Sequence, residues 1–372
     1  MVAATSAFPD ASGIVVVEVG NDTIRTYETV EGINSFIATG TAVYGSLTNT
    51  SLNAIADSNI FTFSGQNTCQ YSLSYNHLAA SIGGGVINFN ATSFDAVYMP
   101  SLLVEYVETN GQDGFQNGSD SLVGWVRLDK LVDTNNPNWK INTSASEPLS
   151  TQANGEKFPF DVTFAEAISP RGLITFHFAI PGAPVIFNNV PLTAEQSKID
   201  ILINGYYDED VNKASAGCTA ASLPYSCAST GASRQPTSRL ALVSYVATLQ
   251  AQADLNIDGS TSLRSSGGEI DASLTWVDNV LINGTITAKV HTQVTDITAK
   301  PSKAFNNYSI NIGFNAFASL NTQMLVQSFD AIRPNLVYWD PTFGGESAKA
   351  SSGSYLLPSI SLLLVTLFAI MF

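Results

Sequence analysis

Apolar side chains recur at every second position through most of the central and C-terminal chain. Ile174, Phe176, Phe178 and Ile180 fall on one parity, as do Ile199, Ile201 and Ile203, and Phe160, Val162 and Phe164. Further on, Ile270, Ala272, Leu274 and Trp276 keep the same period, followed by Ile286, Ala288 and Val290 and by Ile310, Ile312 and Phe314. The longest run spans Val243 to Ile257, with Tyr245, Leu249 and Leu255 on one parity and Ser244, Thr248, Gln250 and Asp254 on the other. Side chains of a strand alternate between its faces, so this pattern predicts strands with one buried and one wet face. Clusters of Gly, Pro, Asn and Asp separate the runs, and before the C-terminal tail no apolar periodicity of 3.6 lasts beyond two turns.

The predicted fold class is therefore all-β, built of antiparallel β-sandwich modules and followed by a C-terminal hydrophobic anchor signal. In the N-terminal third the candidates are shorter: 60–63, 86–89 and 102–107. The expected division is an N-terminal β module over 1–108, an acidic Gly/Asn loop over 109–121 and a C-terminal sandwich over 122–343. A polar spacer over 344–355 and a hydrophobic tail over 356–372 complete it.

That tail carries no charged side chain. A spanning helix needs about 20 apolar residues and is normally followed by a basic segment, whereas here the last residue is apolar Phe372. The small, polar stretch from Gly344 to Ser354 precedes it, matching the order of a glycosylphosphatidylinositol (GPI) attachment signal: small residues, polar spacer, removable apolar tail. Gly345 is the first candidate for the attachment residue, with Ser351 and Ser352 as alternatives; a retained membrane helix or a buried terminal helix is the other reading. The expected location is the outer face of the plasma membrane, with the membrane as partner through the anchor. Residues 1–20 show no basic start with an apolar core, so a signal peptide is expected upstream of the sequence given.

Composition agrees with an extracellular β-protein. Of 372 residues, 45% are hydrophobic, and 16 basic side chains face 31 acidic ones for a net charge of −15. Such a field repels phosphate backbones, which makes nucleic acid an unexpected partner. Cys218 and Cys227 close a short loop in a Gly, Ser and Ala-rich stretch and are expected to form a disulfide; Cys69 is left over. Sequons at Asn21, Asn49, Asn90, Asn117, Asn142, Asn283 and Asn307 permit N-glycosylation, at a number that so much Asn, Ser and Thr supplies nearly by chance.

The loop after 102–107 holds the most suggestive chemistry. Glu108, Asn110, Asp113, Asn117 and Asp120 bring side-chain oxygens together in a glycine-bent segment, as a calcium ion with six to eight oxygen ligands requires. A polar hairpin loop explains the same residues without a metal. The segment resembles calcium loops of bacterial and protist surface β-domains, with Glu108 in place of a leading Asp, one residue inserted near Asp113 and Gln116 in place of a later acid. Taken with Trp125, Trp139, the alternating strands, Tyr338-Trp339-Asp340-Pro341 and the tail, the chain resembles GPI-anchored or C-terminally membrane-anchored, β-rich surface proteins of unicellular eukaryotes. That resemblance implies a location, with no activity attached to it.

Asp254, Asn256 and Asp258 match only the first half of an EF-hand loop, since Ser265 stands where a bidentate Glu is required. There is no nucleophile elbow, zinc motif or phosphate-binding glycine loop, and His77, His177 and His291 read as ordinary strand residues. The expected function is extracellular binding, adhesion or wall and coat organisation, with a glycan or protein ligand. The alternative is an anchored enzyme acting on glycans, with Trp125, Trp139 and Trp339 as sugar-stacking platforms.

Overall fold

A computed structural model describes residues 13–19, 23–47, 51–65, 69–83, 86–109, 111–116, 119–128, 131, 138–145, 162–181, 185–187, 190–192, 196–207, 236–248, 254–257, 262–266, 270–296 and 321–347. The N-terminal strands are β1 (Gly13–Val19), β2 (Thr23–Glu31), β3 (Ser35–Leu47), β4 (Ser51–Ser64), β5 (Gln70–Gly83), β6 (Val86–Val107) and β7 (Ser121–Arg127). Then come β8 (Lys140–Ala145), β9 (Val162–Ile168), β10 (Ile174–Pro181), β11 (Val185–Phe187), β12 (Val190–Leu192), β13 (Gln196–Asn204) and β14 (Arg239–Thr248). The last group is β15 (Asp254–Ile257), β16 (Ser262–Ser266), β17 (Ile270–Thr275), β18 (Asn279–Ile282), β19 (Ile286–Asp296), β20 (Asn321–Phe329), β21 (Leu336–Trp339) and β22 (Thr342–Ser347). The chain is all-β, as its alternation predicts.

Twenty of these strands join one large, nearly closed antiparallel sheet; β11 and β12 form a separate hairpin. Strands β1 to β6 run as a meander. One edge of β6 carries β5 and then β7, and its other edge carries β14, which continues to β20 and β19. Through β18 and β21 the sheet passes to β13, β10, β9 and β8, while β22 leads to β17, β16 and β15.

The inner faces meet through rings. Phe178 of β10 lies 5.3 Å from Phe36 of β3 and 4.6 Å from Tyr71 of β5, and Phe343 of β22 lies 6.0 Å from both Tyr71 and Tyr98. Each such ring contributes about 1.5 to 3 kcal/mol by leaving water, and favourable ring pairs add about 0.5 to 1.5 kcal/mol. Strands from both sides of the 109–121 loop thus share one core. Buried phenols keep partners there: Tyr71 donates to Ser197 Oγ at 2.8 Å, and Tyr98 pairs with Ser244 Oγ at 3.1 Å. Burial raises the Tyr98 pKa well above its ordinary value.

The central strands depart from the one-wet-face expectation. A second cluster, including Leu102, Val104, Val243, Tyr245 and Val326, occupies the opposite face of β6, β14 and β20, and Ser244 is fully buried against the main core. These strands are covered on both sides, which is why Leu102-Leu103-Val104 and Leu240-Ala241-Leu242-Val243 are continuous apolar runs. Of the Val243 to Ile257 run, the described residues lie in β14 and β15, and 249–253 lie outside the described residues.

Candidate functional site

The acidic loop is built around its carboxylates. Asp120 accepts the Thr109 N–H on Oδ1 at 3.0 Å and the Gln116 N–H on Oδ2 at 2.7 Å, drawing the loop ends together. Thr109 Oγ1 donates to the Ser119 carbonyl at 2.6 Å. Glu108 accepts the Gly114 N–H on Oε1 at 3.3 Å and forms an ion pair through Oε2 with Arg239, which also reaches Asp330 at 3.3 Å. Phe115 pins the middle: its ring is buried 5.2 Å from Tyr106, and its N–H donates to Ser328 Oγ at 2.9 Å. Gly114 has φ 80°, and a Cβ there would stand 2.9 Å from His291 Cβ, so the missing side chain lets the loop close onto β19.

Of the five expected calcium ligands, Asn110 and Asn117 lie outside the described residues. Glu108 and Asp120 use both oxygens on protein donors, and Asp113 is exposed. Among the described residues no three His, Cys, Asp or Glu side chains group around a metal-sized site.

Beside this loop lies a cleft of about 850 Å³. Its origin is a change of partner along β19. Ile286 to Lys289 pair with β18, whereas Val290 to Asp296 pair with β20 on the other edge. The Val290 N–H donates to the Asp278 carbonyl at 2.7 Å, and the Lys289 carbonyl accepts the Asp330 N–H at 2.9 Å, which fixes the parity. Backbone groups alternate between the two edges of an antiparallel strand, so Thr292 and Val294 direct their N–H and C=O toward the edge that β18 has left.

The cleft wraps around that edge. Asp113 and Gln116 of the loop line it, as do Trp276, Asp278 and Asn279 around the start of β18, and both faces of β19 from Lys289 to Val294. Polar groups here lack partners: Thr292 Oγ1 and Trp276 Nε1 are buried and unbonded. Opposite Thr292 in β20 sits Gln327, fully buried with neither amide atom bonded. A buried polar group without a partner costs about 1 to 3 kcal/mol. Sequence reading passed over Trp276 and His291 as strand residues, and no local pattern singles them out.

The aromatic platforms expected for sugars are not on the surface. Trp125, Trp139 and Trp339 are all buried, because their rings fill the core: Trp139 stacks 6.0 Å from Phe176, and Trp339 meets Trp276 at 6.4 Å.

A polar row crosses the outer parity of β8, β9, β10 and β13. Asn142 Nδ2 donates to Glu166 Oε2 at 2.7 Å, and Glu166 Oε1 meets His177 Nε2 at 3.1 Å. His177 stands opposite Asp200, which lies 3.4 Å from Lys198. Lys198 is 3% exposed and also pairs with Asp340 at 2.9 Å. Burial raises the Asp200 pKa, against the opposing pull of the Lys198 charge and of a hydrogen bond from Tyr338. Each residue of the row has a protein partner, Asp200 Oδ1 meeting Lys198 as an ion pair while making no hydrogen bond, so the row reads as a structural network.

The remaining expected sites divide by location. Asn283 is exposed at φ 51° in the turn joining β18 to β19, with Oδ1 accepting the N–H groups of Asn335 and Leu336 at 3.1 and 3.0 Å. Asn90 lies in β6. Asn21, Asn49, Asn307, Cys218, Cys227, Ser351, Ser352 and the 356–372 tail lie outside the described residues, and Cys69 is buried in no disulfide. Gly345 is inside β22, opposite Ala272 of β17. Among the described residues no helix is long and apolar enough to cross a membrane, which says nothing of strands. No protein-family model matches the chain, and no curated protein matches it.

Proposed function

We propose that the chain is an extracellular binding protein held at the cell surface by its C-terminus, with its ligand site in the cleft between the Glu108–Asp120 loop and β19. The observation that carries the binding site is the edge of β19 at Thr292 and Val294, open among the described residues and lining a cleft of about 850 Å³. Backbone N–H and C=O groups are ordinarily paired, and a ligand in the cleft supplies the partners this edge lacks among the described residues. The anchor rests on the uncharged tail and its small-residue spacer. Attachment at Ser351 or Ser352 keeps β22 whole, whereas attachment at Gly345 removes Glu346 and Ser347 from their pairing with β17.

Two experiments test this reading. Cells expressing the chain behind a secretion signal are treated with phosphatidylinositol-specific phospholipase C; release supports the lipid anchor, and retention beside a released control supports a membrane helix. The released protein, labelled, is then returned to intact cells. Binding that Asn279→Trp abolishes at unchanged melting temperature supports the cleft, since Asn279 is exposed on its wall. Binding untouched by that variant removes it.

A glycan-acting enzyme is the second reading, favoured by Asp113 and Asp278 on different walls of one cleft. Release of reducing ends from a polysaccharide, lost in Asp278→Asn, would establish it. Calcium at the loop would compete with Arg239 for Glu108. A higher melting temperature in millimolar calcium supports that ion, and an unchanged one removes it. The two-sheet sandwich is supported by the ring contacts of β3 and β5 with β10.

A further inference from the structure

We propose that the cleft takes an extended peptide segment of a partner protein, added as a strand to the open edge of β19 and carrying at least one basic side chain. This rests on the cleft reading above and names its ligand class.

Three observations converge. The N–H and C=O groups of Thr292 and Val294 face the edge that β18 abandons after Lys289, and no backbone partner replaces it among the described residues. An unpaired edge is a ready template for another strand, with main-chain bonds supplying affinity and flanking pockets supplying specificity. The cleft lies along both faces of that edge, leaving room for a chain with alternating side chains. A sugar site of the same size would present an aromatic face, whereas the described tryptophans are buried in the core and Trp276 keeps only 6% of its surface.

Charge selects among peptides. Two carboxylates, Asp113 and Asp278, line the cleft against one ammonium, Lys289, in a chain of net charge −15. A cationic segment is steered toward this field, and an acidic one is repelled.

The test pans the purified, immobilised full chain against a random heptapeptide library, then measures the best binder by calorimetry. Enrichment of Lys and Arg is expected, with affinity falling about tenfold for each backbone nitrogen of one parity that is methylated and little when the other parity is, since each lost bond of about 1.4 kcal/mol is a factor of ten. Asp278→Lys is expected to lower affinity by a similar factor. Thr292→Pro removes one N–H of the open edge while His291 and Gln293 keep the β20 ladder, and an unchanged β20 amide pattern checks its fold. No enrichment over a blank surface overturns the proposal, as does binding indifferent to the parity of methylation. If cells still bind the protein in an Asn279-dependent way after that failure, the cleft stands and only the peptide class falls. If peptides bind at full strength to Asn279→Trp, both fall.

Discussion

The acidic loop and the cleft edge of β19 lie side by side, yet the loop turns its acids onto protein donors while the edge leaves main-chain groups open among the described residues. In the loop, Asp120 takes two backbone N–H groups, and Glu108 takes one together with the Arg239 guanidinium. Near the edge, Thr292 Oγ1 and Trp276 Nε1 are buried with no hydrogen bond, as is the Gln327 amide in the neighbouring β20. The loop carboxylates close their bonds within the protein and hold structure together, although Arg239 Nε beside them, Asp200 Oδ1 and Trp339 Nε1 are also buried without a hydrogen bond, so what sets the cleft apart is its open main-chain edge. The polar row of β8 to β13 belongs with the loop, since even Lys198, 3% exposed, is held by two aspartates.

Substitutions sharpen the contrast. Lys198→Met leaves Asp200 and Asp340 without their shared cation and is expected to cost about 3 to 5 kcal/mol, read as a lower urea midpoint at unchanged slope. A change below about 1 kcal/mol would show that the network is not a bonded one. Asp120→Ala releases two backbone donors of a half-buried loop and is expected to cost about 2 kcal/mol by the same measurement. Thr292→Val behaves oppositely: it removes a hydroxyl that has no bond, and a stability gain of up to about 1 kcal/mol is expected. A loss of stability there would mean that the hydroxyl is bonded and would break the comparison.

The smallest effect is a pH dependence. Burial raises the Asp200 pKa in the folded state above its ordinary 3.8, so the folded chain holds that proton more tightly than the unfolded one. The resulting stability is fully present below 3.8 and is lost as pH rises through the raised value. Melting temperatures of Asp200→Asn are expected to lack this decline. An identical pH profile in the variant would assign the decline to another group.

Much of the architecture was legible. Ile174 to Ile180 and Ile199 to Ile203 alternate cleanly because β10 and β13 have one covered face, and both form as read. Less legible were β3 to β6, of 13, 14, 14 and 22 residues, where only short segments were expected. Their interiors carry Gly40, Gly45, Ser58, Asn59 and Asn76, which punctuate a pattern without ending a strand when two neighbours hold it. Strand β22 was missed for the same reason, since Gly344-Gly345 reads as a spacer until β13 and β17 pair with it. The loop stands out in the sequence for its side-chain oxygens. Their use of Arg239, more than a hundred positions away, depends on β6 pairing with β14. No local pattern marks the cleft, because it arises where β19 exchanges one neighbour for another.

Residue-resolved amide exchange along β19 tests the central claim most directly, since it needs no ligand and reads the open edge itself. The account predicts that the Thr292 and Val294 amides exchange rapidly while those of His291 and Gln293, facing β20, stay protected. Equal protection of all four would mean that the edge is already closed, and the binding site would have to be sought elsewhere.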